Sequence, residues 1–436
     1  MRPPAWVWAL AVLPRLVLFA YVAAEPLRGL VYADSLHYAA LARNLAERGV
    51  FGTKVGEWDS ERSSKRDAAE LKAWLDGNLG PPFHHDRYRT PGYPVLLAPW
   101  FKLLDSPVIP MALLQTAAGV LTVLLVWHWA FLLGGPRGAA WAAGLTALEP
   151  AGLVHTPLLL SDTLGAALFL LGAFLFWKLL RAPEEKPLRA ALIGLLFGGA
   201  IMVRPVSLYL YILLAALLWP RKKSLAVFLA AVYLLPALWV ARNARYGSPT
   251  FSCITGWSFA EIPVEAGMLK AAASQAEMDR LYCPDQGSGQ STLKLFLRCA
   301  AERPAFVAKT LAKRVFYLFE GTSLDMLVDM MRAGKPPPPP PGPQGRFQFQ
   351  RDHPFLAPFW LGGLVLLAAL YALFLRGCWA LHLEGKHLEL ALLCACILYL
   401  VAATLPLGGG GRYRIPLVPL LAVAAGAAYA RKEPAR

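Results

Sequence analysis

This sequence has few charged residues and lacks the motifs that bind nucleotides or catalytic zinc. Charged residues make up only 16% of its 436 residues, whereas a soluble protein carries roughly a quarter. There is no G-x-x-x-x-G-K-[ST], no G-x-G-x-x-G after a strand, and no H-E-x-x-H. An ATP-driven pump or a nucleotide-sugar enzyme needs a nucleotide-binding domain, and no predicted cytoplasmic loop is long enough to hold one. Any energy source must therefore arrive within the membrane or outside it.

Apolar residues dominate instead. They make up 57% of the chain, the mean hydropathy is +0.45, and several runs reach the ~20 residues that cross a bilayer as a helix. The net charge is +15, but the basic residues lie beside the ends of apolar runs, as positive-inside topology requires, and not in a patch with interleaved aromatics. The sequence therefore predicts a polytopic membrane protein that binds no nucleic acid.

The predicted fold class is an all-α polytopic membrane protein with about ten transmembrane helices and with extracytoplasmic juxtamembrane helices. The predicted spans are 4–24, 107–133, 138–157, 158–180, 188–203, 206–219, 225–241, 355–375, 388–405 and 415–430. Segment 94–104 is too short to span, and counting it as a span would turn every basic loop outward. The positive-inside bias therefore places both termini in the cytoplasm.

The first apolar run is either a cleaved signal peptide or a retained anchor. Val22-Ala23-Ala24 is a passable cleavage site, but Arg15 lies in the middle of the run, and a signal-peptide core is uncharged. We therefore predict a retained anchor. An arginine inside a span normally faces the bundle interior, so Arg15 also indicates a polar neighbourhood.

Three regions follow from this topology. Residues 1–241 form an N-terminal transmembrane module that includes the first outer loop, 25–91, with a second helical stretch near 61–77. Residues 242–353 form a second outer loop with a proline-rich spacer at 335–343. Residues 354–436 supply the last helices. Cys283 and Cys299 could form a disulfide if their loop is extracytoplasmic.

The prediction of function starts from a helix in the first outer loop that begins with an acidic residue. Asp34 opens a run in which Tyr38, Leu41, Ala42 and Leu45 recur at helical spacing, which predicts a helix lying on the bilayer with one apolar stripe. Asp34 at its head could meet both a lipid head group and a water-borne partner. Its ordinary alternative is an N-cap role.

Other ionisable residues fall at outer span ends: Asp162, Arg89, Arg204, Arg412 and Arg414. A carboxylate base with several guanidinium groups suits a reaction in which phosphate leaves, because the base takes a proton while the arginines hold the departing oxygens.

Each of these residues also has an ordinary role. Ser161 or Asp162 could cap a helix, and Arg204 could snorkel to the interface. Glycines 408–411, before Arg412, could form only a flexible turn. His85 and Asp86, with His84, are candidate metal ligands but could simply be solvated.

The order of motifs resembles a known family. It comprises D-S-x-x-Y-x-x-x-A-R-N-L from Asp34, R-T-P-G-Y-P from Arg89, L-E-P followed by L-L-L-S-D-T-L, M-V-R-P, A-R-N-x-x-Y-G, and R-Y-R-I-P-L-V-P-L-L from Arg412. This order is similar to that of the integral-membrane GT-C glycosyltransferases, specifically the bacterial branch related to aminoarabinose transferases and protein O-mannosyltransferases.

The resemblance implies transfer of a sugar from a polyprenyl-phosphate carrier, such as undecaprenyl phosphate, on the periplasmic side of the bacterial inner membrane. The predicted catalytic residues are Asp34, which matches the catalytic base of the first loop, and Asp162, which matches the acid of the S-E/D motif. Arg89 matches the basic residue near the carrier phosphate. The candidate lipid-phosphate ligands are Arg89, Tyr93, Arg204, Arg412, Arg414 and Tyr38. Ser35 and Tyr88 stand where some relatives carry acids, so dependence on a divalent metal stays open.

We therefore predict an inverting transferase that acts on a lipid, glycan or protein acceptor, with Asp34 as general base. The alternative is a flippase or permease for a lipid-linked sugar. Transporters often show inverted repeats and paired broken helices, which are not evident in this sequence. A purely structural membrane subunit ranks third, because it would not need so many charges at outer span ends.

Overall fold

The computed structural model describes residues 2–31, 33–54, 76–77, 83–104, 106–247, 249–268, 292–333, 352–408 and 410–429. Most of the predicted helix at 61–77, the spacer at 335–343, Cys283 and the C-terminal tail lie outside the described residues.

The described chain is almost entirely helical. Its helices, in order, are α1 (Ala5–Ala24), α2 (Ala33–Arg48), α3 (Gly92–Leu104), α4 (Val108–Leu148), α5 (Pro150–His155), α6 (Asp162–Leu180), α7 (Pro187–Val203), α8 (Leu210–Ala215), α9 (Lys222–Arg245), α10 (Ile254–Glu265), α11 (Thr292–Glu302), α12 (Pro304–Glu320), α13 (Leu324–Arg332), α14 (Ala357–Leu383), α15 (His387–Thr404) and α16 (Leu417–Gly426). Strands β1 (Gly52–Lys54) and β2 (Phe83–His85) pair antiparallel between α2 and α3, with Gly52 opposite His85.

Six helices of the described chain are long and apolar enough to cross a membrane. These are α1, α4, α6, α9, α14 with the short turn before it, and α15. Two shorter apolar helices, Pro187–Val203 and Leu417–Tyr429, accompany them. The predicted class, a polytopic helical membrane protein, is confirmed, whereas the number of ten spans stays a prediction.

Two predicted span boundaries differ in the structure. The predicted span 107–133 and the first part of the predicted span 138–157 are joined in the 41-residue α4, which bends where Gly135 adopts a φ of 71°. A glycine tolerates this left-handed backbone and Pro136 follows it, so the chain turns without a loop. The predicted span 206–219 contains only the six-residue α8 between short 3-10 turns.

Glycines allow the core helices to pack backbone to backbone. A Cβ added to Gly134 or Gly138 of α4 would collide with the carbonyl oxygen of Gly426 in α16. Gly194 and Gly198 of α7 lie against the backbone of α9 in the same way. Both pairs have the four-residue spacing that lets two membrane helices approach closely.

The sequence predicts that α2 lies on the bilayer through its apolar stripe. In the structure this stripe packs against the protein. Tyr38, Leu41 and Ala42 are buried, and Tyr38 and Ala42 share a cluster with Leu97 and Phe101 of α3. A second apolar helix close by offers the stripe a better-packed partner than lipid. The helix is therefore fixed against the protein, which gives the residues at its start defined positions.

The structure decides the disulfide that the sequence left open. Cys299 is a buried free thiol, so a Cys283–Cys299 disulfide is not formed. Cys253, directly before α10, is disulfide-bonded.

Candidate active site

Two carboxylates from distant parts of the chain meet at one arginine. Arg412 Nη1 lies 2.8 Å from Asp34 Oδ2, and its Nε donates to Asp162 Oδ1 and Oδ2 at 3.1 and 3.0 Å. Asp34 stands in the first turn of α2, Asp162 is the first residue of α6, and Arg412 lies in the 3-10 turn Gly411–Arg414 before α16. The three elements thus converge on one guanidinium group.

A second arginine holds each carboxylate. Arg89 Nη2 donates to Asp34 Oδ1, and Arg204 Nη1 lies 2.7 Å from Asp162 Oδ1. Three guanidinium groups therefore surround two carboxylates, which leaves an excess of one positive charge. Such an excess favours an added anion.

The two carboxylates differ in accessibility. The side chain of Asp34 is 22% exposed, whereas that of Asp162 is completely buried. Asp34 can therefore be reached by another molecule, whereas the buried Asp162 orients Arg204 and Arg412 through its ion pairs with them.

The arginines set the charge state of Asp34. Burial alone would raise the pKa of this carboxyl, but attraction from Arg89 and Arg412 outweighs burial and holds the pKa well below its usual range. Burial likewise opposes the charge on Arg89, and Asp34 outweighs it, so the pKa of Arg89 is raised. Asp34 is consequently an ionised but poorly basic group while both arginines contact it.

Two tyrosines border the cluster. The rings of Tyr38 and Tyr93 meet edge to face, with their centroids 4.9 Å apart, and the guanidinium carbon of Arg89 lies 5.1 Å from the centroid of Tyr38. Tyr38 Oη is 3.2 Å from Ser161 Oγ. In the described part of the chain, the hydroxyl of Tyr93 and the Nε of Arg204 are buried without a hydrogen-bond partner. Both could serve a ligand.

The N-capping alternatives do not describe the two acids. Asp34 lies inside the first turn of α2 and directs its carboxylate to arginines. Ser161 is the residue before α6 and makes no capping hydrogen bond. Arg204 is only 12% exposed and ion-paired, so it does not snorkel.

The loop that carries Arg89 is held from several sides. The Asp86 carboxylate accepts from the backbone N–H groups of Tyr88 and Arg89 at 3.0 and 2.7 Å. Arg242 at the end of α9 donates to the carbonyl oxygen of Asp86 at 2.6 Å, and Ser252 donates to that of Tyr88 at 2.6 Å. These hydrogen bonds fix the position of the Arg89 backbone.

Arg414 does not join the cluster. It is fully buried, its Nη2 lies 2.7 Å from Glu149 Oε1, and it donates to the carbonyl oxygens of Leu318 and Gly321. These contacts tie the 3-10 turn to α12 and to the start of α5. We therefore assign Arg414 to structure and not to phosphate binding, contrary to the sequence-based prediction.

The candidate metal ligands are not gathered into a metal site among the residues that the structure describes. His85 stacks on Tyr246, with ring centroids 3.8 Å apart, while Asp86 contacts His37. Within the same residues, no group of three or more His, Cys, Asp or Glu side chains could hold a metal ion. The two residues thus have other contacts.

Sequence reasoning missed His37 and Glu149. His37 lies one helical turn after Asp34 and is buried between Asp86 and Arg89, a position that the i, i+3 spacing could have revealed. Glu149 stands in the L-E-P motif next to the Pro150 that begins α5, and no local pattern indicates its partnership with Arg414.

Comparison with known proteins adds the following. Residues 88–242 match the family model for dolichyl-phosphate-mannose-protein mannosyltransferases. No curated protein has a significantly similar sequence.

Solved structures resemble the chain only distantly. ArnT from Cupriavidus metallidurans bound to undecaprenyl phosphate is 13% identical with a TM-score of 0.44, and the match covers 97% of this chain and 60% of that one. The Archaeoglobus fulgidus oligosaccharyltransferase tethered with an acceptor peptide is 14% identical with a TM-score of 0.48, covering 97% and 49%. The chain thus spans only about half to three fifths of the length of these proteins.

The matched segment begins at Tyr88, directly before the R-T-P-G-Y-P motif, and contains Asp162 and Arg204. Over these residues the chain is similar to the dolichyl-phosphate-mannose-protein mannosyltransferases, and the predicted resemblance to the GT-C membrane glycosyltransferases is confirmed.

Proposed function

We propose that this protein is a membrane glycosyltransferase that moves a sugar from a polyprenyl-phosphate carrier to an acceptor at the outer surface of the bacterial inner membrane. The observation that carries the proposal is the cluster of Arg89, Arg204 and Arg412 around two carboxylates, with Asp34 partly exposed. The family match supports a glycosyltransferase. The nature of the donor and the side of the membrane are part of the proposal.

The excess positive charge suits the phosphate of the donor. A phosphate binds guanidinium groups through short, charge-assisted hydrogen bonds. Arg89 and Arg412 already lie beside the partly exposed Asp34, and the unpartnered Nε of Arg204 and hydroxyl of Tyr93 are further donors. We assign these four groups to the donor phosphate, with Tyr38 as the ring beneath Arg89.

Phosphate binding would also activate the base. The pKa of Asp34 is low because burial is outweighed by Arg89 and Arg412. A phosphate that takes hydrogen bonds from either arginine removes part of this stabilisation and raises the pKa of Asp34. The carboxylate thus becomes a better base when the donor is in place, which suppresses proton abstraction without it.

The chemical step is then a single displacement. Asp34 accepts the proton of an acceptor hydroxyl or amine, and the resulting nucleophile forms a bond to the anomeric carbon. The bond from that carbon to the phosphate oxygen breaks, and the arginines hold the negative charge that develops on the departing polyprenyl phosphate. Attack opposite the leaving group inverts the anomeric configuration.

The test uses purified protein in nanodiscs, radiolabelled polyprenyl-phosphate sugars and a crude envelope extract as the source of acceptor. Label should move from the carrier to a component of the extract with wild-type protein, and should not move with Asp34→Asn. Asp34→Asn removes the negative charge at nearly unchanged size, and its thermal unfolding should remain cooperative. Full transfer by Asp34→Asn would rule out Asp34 as the base.

The flippase alternative gives a different result in the same material. A transporter would bind the carrier and transfer label to no component under any donor. It would then move the lipid-linked sugar between leaflets of protein-containing liposomes. That combination of outcomes would replace the proposed function.

A further inference from the structure

We propose that His37 is a positioning residue that holds the guanidinium plane of Arg89 in the orientation in which it serves Asp34 and the donor phosphate. The proposal rests on the proposed function for its consequence, but the contact itself stands on geometry alone. Four side chains contact one another in series at the proposed reaction centre: Asp86, His37, Arg89 and Asp34.

The imidazole of His37 is bound at both nitrogens. Its Nε2 lies 2.9 Å from Asp86 Oδ2, and its Nδ1 accepts from Arg89 Nε at 3.2 Å. All three side chains are nearly inaccessible, with exposures of 5–6%. Arg89 then reaches Asp34 through Nη2 of the same guanidinium group.

These partners determine the tautomer. Arg89 Nε can only donate, so His37 Nδ1 must present its lone pair. The Asp86 carboxylate accepts from the backbone N–H groups of Tyr88 and Arg89, and these hydrogen bonds favour its ionised form. An ionised Asp86 can only accept, so His37 carries its proton on Nε2.

The hydrogen bond from Arg89 Nε to His37 forms only while Nδ1 of the imidazole carries no proton. A proton on Nδ1 would set an N–H against the N–H of Arg89 and a positive ring against a guanidinium group, while Asp86 would still hold the other side of the ring. Arg89 and Asp86 both contact the imidazole, and Asp34 lies one turn earlier on α2. The acceptor at Nδ1 is therefore what orients Arg89.

Two amide substitutions of His37 distinguish its hydrogen bond with Arg89 from its hydrogen bond with Asp86. In His37→Asn the amide oxygen lies close to the position of Nδ1, so it keeps an acceptor for Arg89 and loses the contact with Asp86. In His37→Gln the amide nitrogen lies close to Nε2, so it keeps a donor for Asp86 and loses the acceptor for Arg89. The pair is matched in polarity and hydrogen-bonding groups.

We expect His37→Gln to lower kcat/KM for the polyprenyl donor at least about tenfold, the effect of one hydrogen bond to a charged group. His37→Asn should retain most of the wild-type value. The reverse order of the two variants, or equal kcat/KM in both, would overturn the positioning role.

A measurement without substrate keeps the proposal independent of the proposed function. In protein labelled with ¹⁵N-histidine and assigned with His37→Asn, the ¹⁵N shifts should show His37 protonated at Nε2 and bare at Nδ1. The side-chain Nε resonance of Arg89 should shift in His37→Gln more than in His37→Asn. A ring protonated at Nδ1 would overturn the proposal, whereas absence of sugar transfer by wild-type protein would overturn only the proposed function.

Discussion

The sharpest prediction concerns two arginines that stand two residues apart in the same short turn. Arg412 contacts Asp34 through Nη1 and Asp162 through Nε, whereas Arg414 contacts Glu149 and two carbonyl oxygens. Changing each to lysine keeps the charge and removes the planar fork. The two variants should therefore fail in different assays.

Arg412→Lys should impair transfer. A lysine presents one ammonium group in place of two separated nitrogens, so it cannot occupy both positions at once. Loss of one hydrogen bond between charged groups corresponds to ~1.5–3 kcal/mol. At about 1.36 kcal/mol per tenfold change, kcat/KM for the polyprenyl donor should fall roughly 10- to 150-fold. The midpoint of thermal unfolding should change little, because each carboxylate keeps its other arginine.

Arg414→Lys is the matched control. It should lower the thermal unfolding midpoint in nanodiscs, because a buried guanidinium loses contacts with Glu149 and with backbone carbonyls. The kcat/KM of the folded fraction should stay near that of wild type. A kcat/KM for Arg412→Lys within about twofold of wild type would refute the assignment. An equal loss of kcat/KM in both variants at unchanged stability would return Arg414 to the phosphate site.

Three further predictions test the surrounding structure. Asp162→Asn should lower the unfolding midpoint strongly, since breaking a buried ion pair costs ~3–5 kcal/mol and Arg204 would lose its carboxylate partner; an unchanged midpoint would contradict the pairing. Gly138→Ala should destabilise the protein by ~1–3 kcal/mol through overpacking against Gly426, whereas Gly144→Ala, which meets only a ring atom 3.9 Å away, should be neutral. Reporter fusions at both termini should report the cytoplasm; a periplasmic signal at either end would invert the predicted topology.

Much of the architecture followed from local sequence. Apolar runs of bilayer length predict spans wherever they occur, because the requirement to satisfy backbone hydrogen bonds in lipid does not depend on neighbouring helices. The six long apolar helices lie within or across the predicted runs. Asp34, Arg89, Asp162, Arg204 and Arg412 were also selected from their places at outer span ends, and the structure brings these five together.

The distinction between Arg412 and Arg414 depended on local backbone geometry. The R-Y-R motif predicts two phosphate ligands, Arg412 and Arg414. In the 3-10 turn Gly411–Arg414, with about 120° per residue, they point in different directions. One arginine reaches the carboxylates, and the other enters the core toward Glu149.

The sequence by itself determined that the chain is a helical membrane protein and indicated which charged residues form its candidate site, because hydrophobic length and charge placement act locally. Only the tertiary structure decided which charges share a partner. Arg412 meets Asp34 and Asp162 because α2, α6 and the turn before α16 converge there, and His37 contacts Arg89 because the loop after β2 folds back beside α2. Such contacts join residues that are remote along the chain, and their pairing depends on how the helices pack.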